Sequence, residues 1–470
     1  MFKRNAMGNT RAKLLAGAVL MTLGLTAAGA AMSTNVGGGG ATLPAGGYVG
    51  WNFTTSGAVS PVFSSNVSGK PGSSVDSTSL MGNWASTSSP ANSVSYCQTG
   101  SGGGKKIFDH SDGTATWGGA GQACTGSASA TTGFGADTSV VDPHFVGSDA
   151  PMSQNEFNWF GNGTNLGNKA TQYGQPSQFP AIVGSVAIAF NNPDVASLDL
   201  ADAGLCRIFS GQVSNWNQLT ASDFNTAPSL PLPSRTLVLA YRGDGSGTTF
   251  SLANHLSTVC TSLPSGKFFQ ADQSFATVTA QFTLPAGSVA GQGNPGVVSA
   301  ISSTPGAIGY AESANFKHTT VSSTTHVAKV NGKDPYADLP DALTFTTVAV
   351  DKVINGWNAA GGSVIPGTPK VDALTGASTA GCMVMADPST YAKGVGTSYP
   401  ILAVSNLIFN QKGNGSDLAA VRDLMTYTYN ATRRAGATLV GNRTATGGGT
   451  GYAFVTAPAA AAKINTCITI

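Results

Sequence analysis

The eight residues Arg242-Gly243-Asp244-Gly245-Ser246-Gly247-Thr248-Thr249 hold the densest chemistry in the chain. They lie between an apolar run, Leu237 to Tyr241, and a stretch from Thr248 to about Val259 that reads as a helix. A helix starting near Ser246 turns its unpaired N–H groups and the positive end of its dipole towards the loop, which makes an anion site. The Ser246 and Thr248 hydroxyls add donors, and the glycines admit an anion close to the backbone. Arg242 brings a permanent, fork-shaped charge suited to an oxyanion, and Asp244 is placed to hold that fork. An ordinary capped strand-to-helix turn uses the same residue types, so the stretch alone leaves both readings open.

Other chemistries fit this loop less well. A P-loop ends in Gly-Lys-Ser/Thr and this one has no lysine; a nucleophile elbow needs G-x-S-x-G, whereas Ser246 stands directly between two glycines. The five histidines, at 110, 144, 255, 318 and 326, show neither H-E-x-x-H nor any metal-ligand spacing. His255 is expected on a helix surface and the others in loops. No catalytic residue, metal or cofactor is expected.

Several elements must hold such a loop in place. Ile182 to Phe190 is an apolar run bounded by Pro180 and Asn191-Asn192-Pro193, which suits a strand buried on both faces. Leu200 to Phe209 has helix-like apolar intervals and closes at Ser210-Gly211. Gly306 to Tyr310 and Ala403 to Phe409 are further buried strands. Asp417 is placed to cap a helix from Leu418 to about Tyr429, and Pro458 suits the first turn of a short one. Strand, glycine-rich turn and helix in succession predict parallel α/β units. Residues 33 to about 145, rich in Gly, Ser, Thr and Asn, read as short strands and long loops.

Composition narrows the class. Of 470 residues 10% are charged and the formal net charge is +2, against about 25% charged in ordinary soluble domains. No basic run exists beyond the N-terminus, so nucleic acid is excluded as a partner. Lys3, Arg4, Arg11 and Lys13 precede an apolar stretch from Leu14 to about Ala31, with Ala28-Gly29-Ala30 as a cleavage site near Ala30. This is the pattern of a signal peptide over residues 1–30. Its removal turns the net charge slightly negative and predicts a periplasmic or secreted protein. The six cysteines at 97, 124, 206, 260, 382 and 467 form an even set for an oxidising compartment. Fifteen pairings are possible; sequence neighbours, Cys97 with Cys124, Cys206 with Cys260 and Cys382 with Cys467, are the simplest guess.

Three further stretches gain meaning together with the Arg242 loop. They are Gly37-Gly38-Gly39-Gly40-Ala41-Thr42-Leu43-Pro44, Gly100-Ser101-Gly102-Gly103-Gly104-Lys105 and Val146-Gly147-Ser148-Asp149-Ala150-Pro151-Met152-Ser153, each a flexible turn carrying a small polar side chain. In this order the set resembles the phosphate-binding proteins of bacterial phosphate ABC transporters, the PstS family. It is most similar to the DING branch, through the G-G-G-A-T-L-P start, Leu205-Cys206-Arg207-Ile208-Phe209-Ser210-Gly211 with Asn215-Trp216, and Tyr399-Pro400-Ile401-Leu402 leading to Asn406 through Phe409. Thr34-Asn35-Val36-Gly37 stands where that branch has D-I-N-G.

The resemblance implies an α/β, two-lobed periplasmic-binding-protein fold (type II-like) with a hinge and a ligand cleft between the lobes. Lobe I would comprise residues 31–185 and 315–470, with Gly/Ser/Thr-rich insertions within 50–140, and lobe II residues 186–314. It implies a phosphate site in which Thr42 gives its hydroxyl and Leu43 its N–H, with Ser101 from the next turn. Asp149 would face the oxyanion, and Arg242, Ser246, Gly247 and Thr248 would complete the shell, with Asp244 steering Arg242. The implied partners are inorganic phosphate and an inner-membrane phosphate ABC permease, the protein itself being a monomer. Two rivals stand beside this reading: an exported phosphatase on the same scaffold, and a surface adhesive using the insertions.

Overall fold

The computed structural model describes residues 34–50, 75–88, 92–109, 111, 142–162, 169–318, 320–439 and 450–470. The expected signal peptide, His110, Cys124 and most of the expected insertions lie outside the described residues.

One eleven-stranded sheet organises the described chain. In chain order its strands are β1 (Asn35–Gly40), β2 (Ser93–Gln98), β3 (Phe145–Ser148), β4 (Pro176–Asn191), β5 (Val238–Arg242) and β6 (Val289–Gly291). There follow β7 (Ala307–Glu312), β8 (Thr325–Val327), β9 (Ala342–Thr344), β10 (Leu402–Asn410) and β11 (Tyr452–Thr456). The main path runs β2-β1-β3-β10-β4-β7-β5-β6.

At sixteen residues β4 is about three times the usual strand length, and it is buried throughout because it serves two ladders. Pro176 to Ser185 pairs with β10, and Val186 to Phe190 pairs with β7. Both pairings are antiparallel, so the sheet is mixed rather than built of parallel units alone. On each side of this shared strand lies a parallel trio, β2-β1-β3 and β6-β5-β7. Turns at the carboxyl ends of parallel strands are where α/β sheets bind ligands, and Thr42, Ser101, Asp149 and Asp244 all follow such ends.

The labelled helices are α1 (Ser101–Phe108), α2 (Gln154–Asn162), α3 (Asp202–Phe209), α4 (Gly247–Val259), α5 (Gly293–Ser303) and α6 (Leu418–Tyr429). The first of these corrects the loop reading of residues 33–145, as does the helix Leu80–Thr87. Ser101 sits not in a free turn but at the head of α1. Its glycines weaken α1 by roughly 1 kcal/mol each on propensity, yet packing requires one of them: a Cβ on Gly104 would stand 2.5 Å from the Gly40 Cα. Only a bare backbone brings α1 this close to β1.

Two polar residues also depart from expectation. His255 is 1% exposed rather than on the helix surface, with Nδ1 donating to the Ala392 carbonyl at 2.8 Å and Nε2 3.2 Å from the Asp202 carboxylate. His318 lies in a helix and His326 in β8, not in loops. Asp417 does precede α6, but its side chain makes no cap bond. It faces His144 Nε2 at 3.2 Å instead, which ties β3's entry to α6.

Cys206 pairs with Cys260 and Cys382 with Cys467, as neighbour pairing anticipates. Cys97 is disulfide-bonded, and the Cys124 half of its expected pair is not among the described residues. The Cys206–Cys260 bridge ties α3 to the carboxyl end of α4 across 54 residues. Removing it with Cys206→Ala/Cys260→Ala is expected to lower unfolding stability by about 2–4 kcal/mol in a urea titration. Anion affinity should hold, since the anion-facing end of α4 is the opposite one.

Candidate functional site

The Arg242 loop adopts the arrangement its residue types favour. Ser246 is the N-cap of α4, its Oγ accepting from Thr249 N at 3.1 Å, while the Ser246 carbonyl takes Phe250 N. The first four N–H groups of a helix have no intrahelical acceptor, so those of Gly247 and Thr248 stand at the head of α4 without one. Ser246, Gly247 and Thr248 are buried.

Arg242, 2% exposed, is fixed from three sides. Nε donates to Asp244 Oδ1 at 2.7 Å and Nη2 to Asp244 Oδ2. Nη1 donates to Thr248 Oγ1 at 3.4 Å and to Asn294 Oδ1 at 3.3 Å. Burial opposes the charge on Arg242, but Asp244 beside it, with Tyr310 and Asp149, outweighs burial and raises the guanidinium pKa above its ordinary value. Asp244 in turn accepts from Gly293 N at 3.0 Å, at the head of α5.

The turns after β1, β2 and β3 meet this loop. Asn294 N donates to Thr42 Oγ1 at 3.3 Å, joining residues 252 apart. Leu43 is buried, with its carbonyl accepting from Tyr452 OH at 2.5 Å. Asp149 N donates to Ser101 Oγ at 3.2 Å, and Gly102 N to Gly245 O at 3.1 Å. Gly247 must be glycine: a Cβ there would lie 2.5 Å from both Asp149 Cβ and Ser101 Oγ. These contacts join eight of the residues named from the sequence, Thr42, Ser101, Asp149, Arg242, Asp244, Ser246, Gly247 and Thr248, and Leu43 follows Thr42 in the same turn.

Asp149 is 1% exposed, and its Oδ1 is buried with no hydrogen-bond partner. Burial raises its pKa from 3.8 to about 7; the Ser405 hydroxyl, the charges of Arg242 and Lys105 and the Ser101 hydroxyl pull the other way. An acceptor-only oxygen inside a ring of donors is unusual, because buried polar atoms are normally paired. It suits a guest that both accepts from the ring and donates one proton to Asp149.

Three contributors escaped the sequence. Asn294 orients Arg242, and its own Nδ2 is buried without a partner. Ser405 lies on β10, and Lys105 is fully buried on α1. A G-N-P-G turn was the visible signal for Asn294; nothing local marked Ser405. Around the site Arg242 and Lys105 are set against three carboxylates, Asp149, Asp244 and Glu156, so the charges of the site leave no net positive excess. Among the described residues no cluster of three or more His, Cys, Asp or Glu could hold a metal ion.

Comparison with known proteins places the chain among relatives of one superfamily. A PBP superfamily domain matches residues 72–432. Alkaline phosphatase L of Pseudomonas aeruginosa is 30% identical over 376 residues, covering 78% of this chain and 80% of its own. The phosphate-binding protein PstS of Methanocaldococcus jannaschii is 33% identical over 140 residues, covering 29% of this chain and 35% of its own. The solved high-affinity periplasmic phosphate-binding protein PfluDING, bound with phosphate, superposes with a TM-score of 0.53 at 23% identity, over 92% of this chain and 93% of that one.

Proposed function

Because the chain belongs to the PBP superfamily, and within it to the phosphate-binding proteins of PstS type with their two-lobed fold, we propose that it is a solute receptor capturing inorganic phosphate in the cleft between its lobes. The observation that carries this reading is the unpaired, buried Oδ1 of Asp149. HPO4²⁻ and H2PO4⁻ bring a proton to that oxygen, whereas sulfate brings none and meets a bare carboxylate. The Gly247 and Thr248 N–H groups, the hydroxyls of Thr42, Ser101, Ser246 and Thr248, the Leu43 N–H and Arg242 solvate the remaining oxygens. Closure of the lobes expels water and strengthens each of these bonds.

In this proposal the lobes comprise 31–185 with the C-terminal part, and a second segment beginning at residue 186. β8 pairs with the second half of β4, which favours ending the second lobe near residue 330 rather than 314. The receptor works as a monomer in the periplasm or beyond it and hands phosphate to an inner-membrane ABC permease. No helix among the described residues is long and apolar enough to cross a membrane. The name of the Pseudomonas relative favours a second reading, phosphate-ester hydrolysis at the same cleft.

One experiment separates the readings. Calorimetric titration of the purified protein with phosphate and with sulfate should show micromolar or tighter phosphate binding and no heat for sulfate. The same sample should leave a chromogenic phosphate ester intact. Heat from neither anion overturns the receptor; ester hydrolysis that disappears in Ser246→Ala favours the enzyme.

A further inference from the structure

Glu156 has the sequence position of a helix cap and the surroundings of something more. With Ser153 it forms the reciprocal pair usual at a helix start: Ser153 N donates to Glu156 Oε2 at 2.8 Å and Glu156 N to Ser153 Oγ at 3.2 Å. Cap carboxylates are ordinarily solvated, but this one is 8% exposed and pairs at 2.9 Å with Lys105 Nζ, which is wholly buried. Lys105 lies one turn along α1 from Ser101, and its Nζ also donates to the Ala150 carbonyl beside Asp149 at 3.3 Å. The other oxygen, Oε1, accepts from Gln273 Nε2 at 3.3 Å. Gln273 uses its own carbonyl to accept Ser246 N at 3.0 Å.

One carboxylate is thus tied to the helix headed by Ser101, to the turn bearing Asp149 and to the residue that holds the Ser246 loop. Burial works against the charge on Glu156, yet Lys105 and the Ser153 N–H outweigh it and keep the carboxyl below its ordinary pKa. The Lys105 and Ser153 bonds stay within the β1–β3 side of the sheet. Of the Glu156 bonds, that to Gln273 crosses to the side that carries Arg242 and α4, where it joins the Gly102–Gly245 and Asn294–Thr42 bonds.

We propose that Glu156 and Gln273 form a latch across the cleft, outside the anion shell, which positions the Ser246 loop against Asp149 and sets how long a bound anion stays. The latch rests on the receptor reading only for the identity of that anion. Opening the cleft must break the Gln273 arm, whereas encounter with the anion precedes its formation. Its loss therefore accelerates release and leaves capture unchanged.

The test uses phosphate and the whole protein with substitutions at Gln273, whose side-chain amide donates to Glu156 and whose tie to Ser246 is through the backbone. In stopped-flow measurements Gln273→Ala should release phosphate about 5- to 50-fold faster at an unchanged association rate. Gln273→Glu, facing Glu156 with a like charge, should release it faster still. Gln273→Lys, facing it with the opposite charge, should restore wild-type release. That ordering follows charge and not side-chain volume, so a packing role does not produce it. A ligand-free arm uses small-angle scattering in phosphate-free buffer, where Gln273→Glu should be more expanded than Gln273→Lys. Equal release rates across the series, or equal radii for the two charged variants, overturn the latch. A wild-type protein that gives no phosphate signal overturns the receptor reading instead, and the scattering comparison still decides the latch.

Discussion

Asp149→Asn opens the cleft to sulfate. In the wild-type site a fully deprotonated tetrahedral anion sets its oxygen against the unpaired Oδ1 of a buried carboxylate, a mismatch able to reject an analogue by about 10⁴-fold. The asparagine amide removes the charge and offers an N–H in its place, so sulfate affinity should rise by about 10²-fold or more. Phosphate, able to donate to the amide oxygen or accept from its nitrogen, should change by about tenfold or less. Calorimetry with both anions reads the ratio; an unchanged preference for phosphate would remove Asp149 from its assigned role.

The same residue predicts how selectivity follows pH. Burial lifts Asp149 to about 7, so acidification through that value protonates it and turns the acceptor into a donor. Wild-type discrimination against sulfate should therefore erode as the pH falls from 8 to 5, while that of Asp149→Asn stays flat. The stability effect has the opposite sign to that of a salt-bridged aspartate. A folded pKa above the unfolded 3.8 means the native state binds the extra proton between those values. Keeping the carboxylate ionised above pH 7 then costs on the order of 4 kcal/mol in the ligand-free protein. That penalty disappears towards pH 4, so the melting-temperature gap between Asp149→Asn and wild type should be widest above pH 7 and close on acidification.

The Arg242 loop was legible in the sequence because its parts are contiguous: the strand before it, the glycines within it and the N-cap at Ser246 act over eight residues. Thr42, Ser101 and Asp149 carried no such local meaning and were placed only through the family resemblance. What joins them to the loop is long-range, as in the bond from Asn294 to Thr42 and the fit of Gly247 against Asp149 and Ser101. α1 was missed for a definite reason: glycine is a poor helix former, and the benefit of Gly104 is paid at a contact with Gly40 that no local window contains. His255 was misplaced similarly, since its partners, Asp202 and Ala392, lie 53 and 137 residues away. Glu156 drew no notice in the sequence, because its partners Lys105 and Gln273 lie 51 and 117 residues away.

Arg242→Lys retains the positive charge and tests whether charge alone suffices. The guanidinium is clamped at Asp244 through two nitrogens and at Thr248 and Asn294 through a third, leaving one Nη2 N–H at fixed orientation. A lysine ammonium is a compact point charge that moves on to the Asp244 carboxylate, where it is neutralised and stands back from the cleft. Phosphate affinity should fall about 10²- to 10³-fold, equivalent to about 3–4 kcal/mol at 25 °C. Stability should fall less than in Arg242→Met, which leaves Asp244 buried without its cation and should cost about 3–5 kcal/mol. The two variants also part in their pH response. Arg242 is among the groups that hold down the pKa of Asp149, so Arg242→Met should shift the loss of sulfate discrimination to higher pH, and Arg242→Lys should leave it near the wild-type position. Phosphate affinity in Arg242→Lys within threefold of wild type would show that the fork geometry contributes nothing beyond its charge.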